Sequence, residues 1–161
     1  MSTRALLENA RSRLAEAPRE TIGELIVPRQ VLGIGRSPRI VRRGAAWHLG
    51  VLLLTDDAVL ATGDIVRARR EVRRGFAAES QRQRAELAAA ARRGGLAEGE
   101  TVHISWVELD LDAVDRGSAS GPLALRDGGP SVRWSAAGGF MPLAAYLDER
   151  VELLRHPPAG A

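Results

Sequence analysis

The chain has no cysteine, which excludes disulfides, thiolate metal ligands and every mechanism built on a cysteine nucleophile. It has no lysine either: all 23 basic residues are arginine. Schiff-base chemistry, a phosphate-binding-loop lysine and a Ser-x-x-Lys catalytic pair are therefore ruled out. Each cation that remains is a guanidinium and stays protonated at any working pH. Aromatic residues make up only 4%, and Trp47, Trp106 and Trp134 fall in predicted strands, where a core role outweighs a base-stacking one. Apolar runs such as Val51 to Leu54 are far short of the roughly 20 residues a spanning helix needs. The start, MSTRALLENARSRLAEA, is broken by charge every few residues and does not read as a leader peptide. No membrane span and a cytoplasmic location are expected.

What is present is ordinary for a folded domain. With 161 residues, 45% hydrophobic and 27% charged, the composition predicts one globular domain over 1–161 with a single core. The net charge of +3 is unevenly spread: residues 36–93 hold 13 arginines against 6 acids, and residues 95–161 hold 5 against 10. Such a split marks either an anion-binding face or two halves that compensate each other, within one chain or in a homo-oligomer.

Periodicity predicts an α+β fold: an antiparallel sheet or small barrel with an N-terminal helix, an inserted central helix and a C-terminal helix. Residues 1–35 read as an N-terminal helical segment. Ser2 or Thr3 caps a helix with Leu6, Leu7, Ala10 and Leu14 on one face, and Thr21 with Glu24 has the spacing of a capping box. LGIGRSP lacks the third glycine and following helix of a dinucleotide loop, so it reads as a turn entering a strand. From Ile40 come strand-like runs, RIVRR, AAWHLGVLLLT and AVLATGDIVRA. Thr55, Asp56 and Asp57 form a hairpin turn between the last two. A helix is predicted over 76–93, with Phe76 and Leu87 sharing a face and Gly94–Gly95 as its stop. TVHISW is a half-buried strand whose apolar phase slips at Trp106 and Val107, which suggests a bulge or a change of sheet. A hairpin follows around Asp127, Gly128 and Gly129. Pro142 then opens a last helix with Leu143, Leu147, Val151 and Leu154 as its buried stripe. Residues 156–161 read as a flexible tail.

Candidate catalytic groups are few. His48 and His103 lie on separate predicted strands, so a metal or acid/base site would depend on tertiary convergence, with Asp64 or Asp110 as the carboxylate. No HxH or HxxxH spacing occurs; no metal and no cofactor are expected. The stronger candidate is the cluster Arg67, Arg69, Arg70, Arg73 and Arg74. In a helix, Arg69 would stack on Arg73 and Arg70 on Arg74, offering paired guanidinium forks to carboxylate or phosphate. Glu71, Glu79 and Glu86 nearby, and the lack of any nucleic-acid-binding signature, disfavour nucleic acid.

WHLGVLLLTDDAVLATG resembles the hairpin of bacterial pleckstrin-homology-like and GRAM-like domains, where an L-T-x-x-x-L pattern recurs. That resemblance implies a non-catalytic binding module. AAWHLGVLLLTDDAVLATG, RARREVRRGFAAESQR and VRWSAAGGF are also similar to short proteins of high-GC bacteria, some carrying a glutaminase label. The nucleophile arrangements such a label implies need a cysteine or a lysine, and the chain has neither. The expectation is a non-enzymatic binding domain for a protein or acidic ligand, with a small hydrolase-type enzyme and a weak non-specific nucleic-acid binder as alternatives.

Overall fold

The computed structural model describes residues 1–71, 75 and 78–160. Its elements, in chain order, are α1 (Thr3–Arg13), β1 (Glu20–Ile26), β2 (Arg39–Leu49), β3 (Leu52–Leu54), β4 (Val59–Ala61), β5 (Asp64–Arg67), α2 (Glu79–Arg93), β6 (Thr101–Ile104), β7 (Val107–Glu108), α3 (Leu111–Asp115), β8 (Leu123–Arg126), β9 (Gly129–Arg133), β10 (Phe140–Pro142) and α4 (Leu143–Arg155). The fold is α+β, with a mostly antiparallel sheet and helices at the start, centre and end. Among the described residues no sheet closes into a barrel.

Two compact units emerge. The first comprises Met1–Arg19, Ala46–Thr62 and Val107–Ala161; the second comprises Glu20–Ala45 and Gly63–Trp106. The buried apolar residues follow the same division and form two clusters instead of one.

In the first unit, residues 46–49 of β2 pair with β3, β3 with β4 and β4 with β7, all antiparallel. A separate antiparallel sheet runs β10-β9-β8. Ser2 caps α1 by accepting from the Ala5 N–H, and Leu7, Ala10 and Leu14 are buried as their spacing predicts. They pack with the α4 stripe of Leu143, Leu147 and Val151, joined by Tyr146. The β8–β9 turn places Asp127 and Gly128 at φ 50° and 80°, the left-handed pair of a type I′ hairpin. Gly50, at φ 64°, breaks the apolar run between Leu49 and Leu52, whose Cα positions pair.

Tyr146 holds that break closed. Its hydroxyl donates to the Leu49 carbonyl at 2.7 Å and accepts from the Val51 N–H at 2.8 Å. The next turn is held by arginine: Arg11, 9% exposed, donates to the carbonyls of Thr55 and Ala58, each at 2.8 Å.

In the second unit the strand order is β5-β6-β1 with the first part of β2 beyond β1. β5 runs antiparallel to β6, and β6 runs parallel to β1. The segment 20–26 is thus a strand and not the second helical turn that Thr21 and Glu24 suggest. Thr21 and Ile22 suit a pleated, half-buried surface, and pairing with Val102 and His103 overrides the local capping signal. α2 lays Ala90, Ala91 and Leu87 against Ile40, Val66, Val102 and Ile104. It ends where predicted, with Gly95 at φ 97°. Ser105 takes φ 57° as the chain leaves β6 for β7, just before the slip expected at Trp106 and Val107.

Candidate functional site

The paired carboxylates of the hairpin turn are structural. Asp56 and Asp57 are exposed. Arg19 donates to Asp56 at 2.7 Å, and that hydrogen bond holds the Asp56 carboxyl below its usual range. A carboxyl that stays ionised there cannot serve as a general acid near neutral pH. The Arg19 guanidinium also lies 3.8 Å from the Trp47 ring centroid, so it ties the turn to the first core. Trp47 is buried as expected, whereas Trp134 is 49% exposed and lies outside the strands.

His48 lies in the first unit and His103 in the second. The His48 Nε2 is 3.0 Å from the Gly50 carbonyl oxygen. His103 is fully buried, although the alternation of TVHISW places it on the outward face. Its Nε2 bonds the Glu20 carboxylate, which is 39% exposed. On the other face of β1, Thr21 donates to Glu100 at 2.7 Å and Arg42 pairs with Glu100 at 2.8 Å. The Glu100 carboxyl lies below its ordinary range, chiefly through the Thr21 hydroxyl. Asp64 is exposed on β5. Asp110 caps α3, accepting from the Ala113 N–H at 2.9 Å; with Arg4, Asp57 and Glu108 it lines an open cleft of about 420 Å³ in the first unit.

The arginine cluster is brought only partly into view. Arg67 ends β5, an edge strand, and Arg69 and Arg70 follow in an irregular link; all three are exposed. The link is fixed by its backbone, with Arg69 N–H donating to Ala88 at 3.1 Å and Arg70 N–H to Glu98 at 3.0 Å. Arg69 and Arg70 are therefore not helical, and α2 starts only at Glu79; their expected stacking on Arg73 and Arg74 involves residues outside those described. Arg73, Arg74 and Phe76 lie outside the described residues.

The two units also divide the charge, the second positive and the first negative. The second unit holds 14 arginines against 8 acids and the first 9 against 12. Most acids of the second unit are engaged: Glu24 with Arg43, Glu71 and Glu86 with Arg93, Glu79 with Arg82, Glu98 with Arg92 and Glu100 with Arg42. Arg67, Arg69 and Arg70 form no ion pair among the described residues, and the same holds for Arg29, Arg36 and Arg39. Sequence counting finds the excess but not which guanidiniums it leaves unneutralised.

No helix among the described residues is long and apolar enough to cross a membrane. Comparison of the chain with family models, with curated proteins and with solved structures gives no match.

Proposed function

We propose that the protein is a non-catalytic binding module whose second unit takes an acidic ligand through its arginine-bearing edge. The observation that carries this is the set Arg67, Arg69 and Arg70: exposed, adjacent on an edge strand and its link, and without ion pairs among the described residues. The link's backbone is anchored, so less conformational entropy is lost when the guanidiniums are engaged. The complete burial of His103 favours a structural histidine over a catalytic base, since it leaves a substrate no approach. A protein partner with an acidic segment and a small phosphorylated ligand share the chemistry this edge recognises.

The test is fluorescence anisotropy with labelled poly-glutamate and with inorganic polyphosphate, on the wild type and on R67E/R69E/R70E. Exposed ion pairs contribute up to about 1 kcal/mol each, so reversing three charges should weaken binding by roughly tenfold to a hundredfold, and wild-type affinity should fall with salt. Equal affinity in the reversed variant overturns the assignment.

A further inference from the structure

The connection between β1 and β2, residues 27–38, exposes aliphatic side chains that no core covers. Val27 is 67% exposed, Val31 68%, Leu32 95% and Ile34 82%. The tip is ordered by its own hydrogen bonds: Val31 N–H donates to Ile34 at 3.1 Å and Ile34 N–H to Val31 at 3.0 Å. Leu32 and Gly33 between them take φ 56° and 71°, the geometry of a type I′ turn. That turn favours Asn, Asp or Gly at its first central position, and the chain's other one uses Asp127 followed by Gly128. Here a branched aliphatic residue occupies the left-handed position and points into solvent. Folding gains nothing from either feature.

The flanking charge has one sign. Between Glu24 and Asp56 there is no acidic residue, while Arg29, Arg36 and Arg39 lie in or beside the loop, all exposed. Arg29 and Arg36 are each two residues from the Val31–Ile34 bridge. Extended chain rises about 3.3 Å per residue, so the Arg29 and Arg36 backbones stand at most about 7 Å behind that bridge. Apolar groups at a bilayer interface reach roughly 5–10 Å below the headgroups. We infer that residues 27–38 insert into an anionic lipid surface, with Val31, Leu32 and Ile34 entering the acyl boundary and Arg29, Arg36 and Arg39 meeting lipid phosphates. A protein partner fits less well: interface hot spots favour Trp, Tyr and Arg in well-packed pockets and under-represent Leu and Val, and the tip has no aromatic residue. This inference goes beyond the acidic-ligand reading above, which is carried by a different set, Arg67, Arg69 and Arg70.

The experiment is vesicle flotation with phosphatidylcholine alone and with phosphatidylcholine containing phosphatidylglycerol, on the wild type and L32D/I34D. The exposed tip lets L32D/I34D keep the wild-type fold, checked by circular dichroism and melting temperature. The wild type should float only with phosphatidylglycerol vesicles, and L32D/I34D should lose at least tenfold in partition while still binding poly-glutamate. Leu32→Trp should show a blue-shifted emission on those vesicles and be quenched by brominated acyl chains. Equal partition of L32D/I34D and the wild type, or an unshifted Leu32→Trp emission, overturns the insertion. If the wild type ignores vesicles yet binds poly-glutamate, the insertion falls and the acidic-ligand reading stands; binding to neither removes both. A wild-type dimer in sedimentation velocity that L32D/I34D disperses, without vesicle binding, assigns the loop to self-association instead.

Discussion

Removing the hydroxyl of Tyr146 isolates one device of the fold. In Tyr146→Phe the ring keeps its place in the first core, where Tyr146 is 1% and Leu49 0% exposed. What is lost is a donor to the Leu49 carbonyl and an acceptor for the Val51 N–H. A buried polar group left without its partner costs about 1–3 kcal/mol. Val51 is only half-buried and recovers part of this from water, so the sum is about 2–3 kcal/mol. For a chain of this size that corresponds to a melting-temperature drop of roughly 5–10 °C. Urea denaturation should show a lower midpoint at an unchanged slope. A double-mutant cycle sharpens the test, because a Cβ added at Gly50 would overlap the Tyr146 hydroxyl oxygen, whereas the ring carbon that bears it is 3.3 Å away. Gly50→Ala should therefore cost at least about 1 kcal/mol less in the Tyr146→Phe background than in the wild type. A loss below about 0.5 kcal/mol for Tyr146→Phe, or strict additivity with Gly50→Ala, refutes the account.

Gly94→Ala should be far more damaging than Gly95→Ala. A Cβ at 94 would overlap the Ile40 carbonyl oxygen, while at 95 there is open space and only the left-handed φ to strain; chemical denaturation should show about 1 kcal/mol for Gly95→Ala and a larger loss for Gly94→Ala. Glu100 and Asp115 both titrate below their usual range, held down by the Thr21 and Thr3 hydroxyls respectively. Their stabilisation is present above the unfolded carboxylate values of about 4 and disappears as pH falls through the lower folded values. Stability measured from pH 6 down to pH 2 should therefore drop less in Thr21→Val and Thr3→Val than in the wild type, because each variant is already weaker at neutral pH. Leu32→Asn should raise the melting temperature by relieving the left-handed leucine while weakening vesicle binding; a lower melting temperature contradicts the turn assignment.

Much of the fold was legible where local chemistry and tertiary packing agree. Asp127–Gly128 announces a hairpin, Gly94–Gly95 a helix stop, and the spacing of Leu143, Leu147 and Val151 a buried helix face. Legibility failed where the two compete. Thr21 and Glu24 carry a helix-start spacing, but pairing with β6 makes the segment a strand. AAWHLGVLLLT reads as one strand because its hydrophobicity is continuous; the Tyr146 hydroxyl, almost a hundred residues away, marks the turn at Gly50. The arginine cluster was visible as composition, yet the backbone anchoring of Arg69 and Arg70 that denies them a helix was not. LGIGRSP was legible as a turn, but the exposure of Val31, Leu32 and Ile34 around it was not.

The interleaving of the two units limits how the molecule can be made and cut. The first consists of three chain segments and the second of two, so the polypeptide changes unit at residues 19–20, 45–46, 62–63 and 106–107. No contiguous fragment consists of either unit alone, since 20–106 holds the second unit only together with residues 46–62 of the first, and no single proteolytic cut releases one intact. On the ribosome, α1 is made well before its partner α4, so the first core cannot close until α4 has emerged. The second unit, whose segments end at Trp106, can assemble earlier. Long loops closed late make for slow folding, and a chain truncated before residue 143 should leave Leu7 and Leu14 without their cover.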